Sequence, residues 1–180
     1  DDASTDQLST ELDYYIKEMP FDVILLANQA NIGPAQSRAR AVAYCDTKYV
    51  AFCDIDDTWP ADKLKIQVEH MNLGACVWSY HGRRLTFEDG SPSTKIDVTP
   101  IRSLSHLMIS RHIGLSSVMV RTEEAKKLPD CSGIYLCEDY VWWGFLFDKY
   151  GAPFPIFNLN YEYNIHSTSA SRNKLKMARA

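Results

Sequence analysis

Three carboxylates fall within four residues at Asp54-Ile55-Asp56-Asp57, directly after the apolar run 48–53. Unpaired, such groups repel one another and raise each other's pKa. A divalent cation removes that cost, and hard carboxylate oxygens suit Mg2+ or Mn2+. Charge complementarity with the helix that starts near Pro60 accounts for the cluster equally well. A second acidic pair, Glu138-Asp139, opens a strongly apolar helix, where negative charge is also favoured. In that helix Trp142 and Trp143 are adjacent in sequence, so they point to different faces.

The elements that must position these groups read in order. Ser4 and Gln7 form a capping-box pattern for a helix that ends at Pro20. Residues 22–28 have the length and apolarity of a buried strand. Asn31-Ile32-Gly33-Pro34 is a turn, and Pro34 suits the first position of a helix running to about Cys45. A second strand, 48–54, delivers the acidic cluster. Pro60 starts a helix that Gly74 stops. Then follow a strand over 75–80, a hairpin over 85–98, a helix over 103–110, a strand over 116–121 and a short helix over 122–127. The apolar helix 138–150, a strand over 154–165 and a basic helix over 171–180 close the chain. Alternating helices and strands in the first half predict an α/β domain with a mostly parallel central sheet flanked by helices. In such sheets ligands bind beyond the carboxyl ends of the strands, where Asn28 and Asp54 fall.

The 180 residues suit one domain with a real core. A net charge of −4 argues against a nucleic-acid partner. No apolar run approaches a membrane span. Five cysteines, an odd number without a CxxC pair, read as reduced thiols in a cytosolic protein.

Two families compete for the acidic cluster. The segment Val50 to Thr58 resembles the strand end of haloacid-dehalogenase-like phosphatases, in which Asp54 would accept a phosphoryl group and Asp56 act as acid/base. That pattern normally opens its domain, whereas here a helix, a strand and another helix precede it. Asp1-Asp2-Ala3-Ser4-Thr5-Asp6, then Asn31 to Arg38, then Asp54 to Trp59, arrive in order. With Glu138 to Trp143 and the tail from Tyr161, they resemble the family 2 glycosyltransferases of the GT-A fold, in the form that builds bacterial polysaccharides. The resemblance runs over nearly the whole chain.

It implies an inverting, metal-dependent transfer from a nucleotide sugar, with UDP-sugar the expected donor, to a saccharide or lipid-linked acceptor. Asp1 and Asp2 match the base-reading pair, without a decision between them. Arg38 matches the arginine expected near the nucleotide. Asp54 and Asp56 match the DxD motif. Asp56 is the first choice of ligand for Mn2+ or Mg2+, with Asp57 alongside and His166 a further candidate. Asp139 matches the catalytic base and, at a helix start, is expected ionised; Glu138 is the fallback. Trp143 matches an aromatic that stacks on a sugar, and Trp142 is core. The basic tail reads as a solvated helix face, with approach to an anionic membrane at the inner face as the alternative. In this family a strand, a helix and a second strand precede DDxSxD. The resemblance therefore implies one domain, residues 1–180, lacking its first two strands. Val23 to Asn28 and Val50 to Asp54 would then expose an edge that promotes association between copies. An inactive domain that keeps the fold is the non-enzymatic alternative.

Overall fold

The computed structural model describes residues 1–5, 12, 16–89, 91, 93–134 and 137–166. The expected first helix lies largely outside them, with residues 16–18 helical. The basic tail helix lies wholly outside them.

Pro34 opens helix α1 (Pro34–Tyr44) after Gly33, whose φ of 88° needs a residue without a side chain. Strand β1 (Tyr49–Ala51) follows, then α2 (Lys63–Gly74). Helix α2 begins later than Pro60 suggests and runs through Gly74, and Ala75 takes the left-handed closing position. Strand β2 (Trp78–Phe87) is long and pairs with β3 (Thr94–Ile96) as an antiparallel hairpin. Helix α3 (Leu104–Ser110) is capped by Ser103, whose hydroxyl accepts from His106 N. The expected strand over 116–121 is shorter: Leu115–Ser117 form a 3-10 turn and β4 is Met119–Arg121. Helices α4 (Thr122–Ala125) and α5 (Glu138–Tyr150) and strand β5 (Phe154–Ile165) complete the order.

The sheet is mixed, not mostly parallel. β1 pairs β4, β4 pairs β2 and β3 pairs β2, all antiparallel, while the long β2–β5 pair is parallel. The missing parallel part is the segment 21–28, which is extended but forms no strand. A strand needs a neighbour for its backbone groups. Among the described residues Asp1 supplies the backbone partner, its N–H reaching Leu26 O and its C=O taking Asn28 N–H, the pattern of a single parallel bridge, while the Arg40 side chain donates to Ala27 O. Phe21, Ile24 and Leu25 are accordingly exposed. On β1, no strand among the described residues lies opposite β4. The core sits between the sheet and α5: Trp142, Trp143 and Leu146 pack with Phe52, Trp78 and Val120.

Candidate functional site

The turn 31–33 is built on Asp2. Its carboxylate accepts from Ile32 N (2.8 Å), Gly33 N (2.8 Å) and Asn28 Nδ2 (3.0 Å). The Ile32 bond leads in holding the Asp2 pKa below the usual carboxylate range. Both Asp2 oxygens are therefore occupied with shaping this turn. The exposed Asp1 carboxylate accepts from Ser4 N at 3.0 Å. Asn31 and Gly33 shape the loop, as their residue types suggest.

One turn into α1, Arg38 joins two motifs that lie far apart in sequence, at Asp54 and Glu138. Nη2 donates to Asp54 Oδ1 at 2.7 Å and Nη1 donates to Glu138 Oε1 at 2.6 Å. The segment after β1 is fixed from the other side. Asp54 N donates to Ser116 Oγ (2.9 Å), and Trp59 Nε1 donates to Ser116 O (2.8 Å). The end of β5 holds the turn itself: Thr58 pairs with Glu162, and Asn164 Nδ2 donates to Asp56 O.

The three aspartates of this loop have different fates. Asp54 is ion-paired. Asp56 is exposed. Asp57 is turned inward with both oxygens shut off from solvent, and burial raises its pKa to about 6. Asp57 stays within the field of Asp54 and Asp56, beside which it was expected. Among the described residues no three His, Cys, Asp or Glu side chains, His166 included, form a metal-holding group.

Glu138 and Asp139 open α5 after Cys137, which takes a left-handed conformation. Glu138 is bound to Arg38 and only 10% exposed at its side chain. Asp139 is half-buried, and desolvation followed by the Glu138 charge lifts its pKa to about 7, with Arg38 pulling it back. The helix start was expected to keep this group ionised. Its desolvation beside another carboxylate outweighs the helix dipole. A carboxyl that titrates near neutrality suits proton transfer.

Trp143 is corrected outright. It is fully buried and stacked on Trp78 at 5.8 Å, so it presents no face to a sugar. Trp142 is core, as expected.

Sequence reading missed Lys63 and Ser116. Lys63 is 0% exposed, its Nζ lies 3.6 Å from the Trp59 ring centre, and burial lowers its pKa to about 7. The spacing Lys63, Gln67, Met71 was the available signal, since residues four apart share a helix face and all three are buried. Nothing in the sequence marks Ser116 apart from other serines.

The sequence profile of glycosyl transferase family 2 matches residues 1–119, about two thirds of the chain. A Bacillus subtilis (strain 168) protein named as a teichuronic acid biosynthesis glycosyltransferase, TuaG, is 32% identical over 182 residues, covering 99% of this chain and 71% of that one. An Escherichia coli protein named UDP-Glc:alpha-D-GlcNAc-diphosphoundecaprenol beta-1,3-glucosyltransferase, WfgD, is 26% identical over 153 residues, covering 84% of this chain and 59% of that one. Among solved structures, S. aureus TarS 1–349 with UDP superposes with a TM-score of 0.68 at 18% identity, covering 92% of this chain. The same protein with UDP-GlcNAc gives 0.70 at 16%, covering 96%. At such identities the likeness shows the fold, which is GT-A. The chain spans about half the length of those structures. The profile takes in Asp54 to Thr58, so this segment belongs to the transferase pattern and the phosphatase reading falls.

Proposed function

The chain belongs to glycosyl transferase family 2, and on that premise we propose that it moves a sugar from a nucleotide sugar, a UDP-sugar first, to a saccharide or lipid-linked acceptor in surface polysaccharide synthesis. The relatives' names support the pathway class, and the UDP complexes of the TarS structures support the donor class. The observation that carries the reading is the Arg38 bridge, which ties the Asp54 loop to the helix start bearing Asp139. Donor and acceptor chemistry need such groups held in one frame.

In this reading the turn shaped by Asp2, with Asp1 beside it, receives the base, a carboxylate accepting a base N–H. Arg38 holds Asp54 in place. Asp139, when ionised, takes the proton of the acceptor hydroxyl as that oxygen attacks the anomeric carbon. The bond from that carbon to the diphosphate oxygen breaks in the same displacement, and configuration inverts. Glu138 keeps its charge on Arg38 and stays out of the proton transfer.

The donor chemistry present fits a divalent ion. Asp56 is exposed, and Asp54 commits only Oδ1 to Arg38. Mg2+ is commonly held by one or two carboxylates with substrate phosphates, without an all-protein cage. Asp56 and Asp54 would hold Mg2+ or Mn2+. The ion would supply Lewis-acid stabilisation of the leaving diphosphate. No helix among the described residues is long and apolar enough to cross a membrane. Work at the cytoplasmic face, membrane approach through the tail and association between copies extend the same proposal, as does a single domain over residues 1–180.

Thermal-shift titrations with UDP, GDP and dTDP, with and without Mn2+, test it. Saturating UDP with Mn2+ stabilises the chain, by about 2.7 kcal/mol at a hundredfold excess over Kd. Asp56→Asn loses the metal-dependent part. Stabilisation by no nucleotide under either condition refutes the reading.

A further inference from the structure

On the side of the 111–117 segment away from its Asp54 contact lies a cationic cluster that the donor chemistry does not use. Arg83 reaches under Gly114 from β2: a Cβ at Gly114 would collide with the Tyr161 hydroxyl and lie 3.1 Å from Arg83 Nη1. The Arg83 guanidinium sits over the Tyr163 ring at 5.5 Å, and its Nε is buried without a partner. Arg111 closes α3 in a left-handed conformation, φ 47°, and is exposed. Its Nη1 donates to the Cys137 thiol at 3.8 Å, a weak acceptor. His112 follows Arg111 in sequence and lies in the field of Arg83 and His106, with Nδ1 buried and unpartnered. Tyr140, whose hydroxyl donates to Ile113 O, feels Arg83, Arg111 and Asp139 together. The cluster therefore borders the candidate base.

Neither Arg83 nor Arg111 is in an ion pair among the described residues. Nearby Glu138 is spent on Arg38. Guanidinium groups left without carboxylates, whose contacts are a tyrosine hydroxyl, a tyrosine ring and a thiol, call for an oxyanion. We propose that Arg83, Arg111 and His112 form an acceptor-side oxyanion site beside Asp139, so that the preferred acceptor carries a phosphate or a carboxylate close to the hydroxyl that reacts. This rests on the transferase reading for the word acceptor; the anion site itself does not.

Calorimetric titration of the full chain, with saturating UDP and Mn2+ present, tests the site. Geranyl diphosphate probes the lipid-phosphate source, D-glucuronate the sugar-carboxylate source, and D-glucose serves as the neutral control. At least one anion binds more tightly than glucose and weakens with added salt. Arg111→Ala lowers its affinity by about tenfold or more, the loss of one charge-assisted hydrogen bond. Arg83→Lys, which keeps the charge, retains more affinity than Arg83→Met. UDP affinity stays within about twofold in Arg111→Ala. The site is overturned if both anions bind no better than glucose, if Arg111→Ala leaves their affinity unchanged, or if UDP displaces them. Should wild-type chain bind the anions but no nucleotide, the donor reading fails and the anion site stands.

Discussion

Arg38→Met removes the group that ties the Asp54 loop to α5 while keeping an aliphatic stem. The structure sets the magnitude. Two short charge-assisted bonds vanish, of 2.6 and 2.7 Å. Such bonds contribute about 1.5–3 kcal/mol each. The Asp54 arm is discounted, because its partners are 26% and 34% exposed and solvent screens it. The Glu138 arm is not, because Glu138 is 10% exposed and would keep a charge without a partner. The expected loss is about 2–4 kcal/mol in urea unfolding, read as a lower midpoint at constant slope. Adding Glu138→Gln to Arg38→Met removes the stranded charge and recovers about 1 kcal/mol or more, whereas Glu138→Gln alone destabilises. Arg40→Met, on the same helix but exposed and bonded only to Ala27 O and the Asn28 side chain, is the control and costs little. A loss below about 0.5 kcal/mol for Arg38→Met, or equal losses with and without Glu138→Gln, would refute the bridge as the element joining the two motifs.

Asp139 binds its proton more tightly folded than unfolded, with a pKa raised from 3.8 to about 7, so its stabilisation is complete below pH 3.8 and fades as pH rises through about 7. Asp139→Asn is therefore more stable than wild type at pH 8, by a few kcal/mol, and equal to it in acid, as pH-dependent melting will show; transfer by the wild type rises with pH through about 7. Lys63 runs the other way: its pKa falls from 10.5 to about 7, so burial costs stability below about pH 7, and the cost is relieved as pH rises towards 10.5. Lys63→Met, of similar length, raises the melting temperature at pH 6 by the equivalent of about 2 kcal/mol after loss of the contact with Trp59, and the gain shrinks in alkali. Trp143→Ala opens a cavity between Trp78 and Phe52 and costs about 3–5 kcal/mol in chemical unfolding, while a direct role at the sugar would instead raise KM in a fully folded variant.

Much of the site was legible because its residues come in short runs. Asp54 to Asp57, Asn31 to Arg38 and Glu138-Asp139 each lie within one turn or loop, where spacing along the chain sets neighbours in space. Helices α1, α2 and α5 followed from Pro34, from apolar spacing and from the Gly151 stop. The parallel character of the sheet was overestimated. An apolar run such as 21–28 states a wish for burial, and only a neighbouring backbone can grant it. The sequence could not distinguish Trp143 from an exposed aromatic, because a helix apolar on most faces does not reveal which face meets the sheet.

By itself the sequence determined the family, the order of elements and the set of residue types available for chemistry, since these depend on local pattern and on ordered motifs. Tertiary structure alone decided how those residues divide the work. Asp2 is consumed by a turn, Asp57 is turned inward, Glu138 is neutralised by an arginine a hundred positions away and Asp139 is left to titrate near neutrality. Identical carboxylates take different roles because charge partners and burial, not residue type, set their protonation.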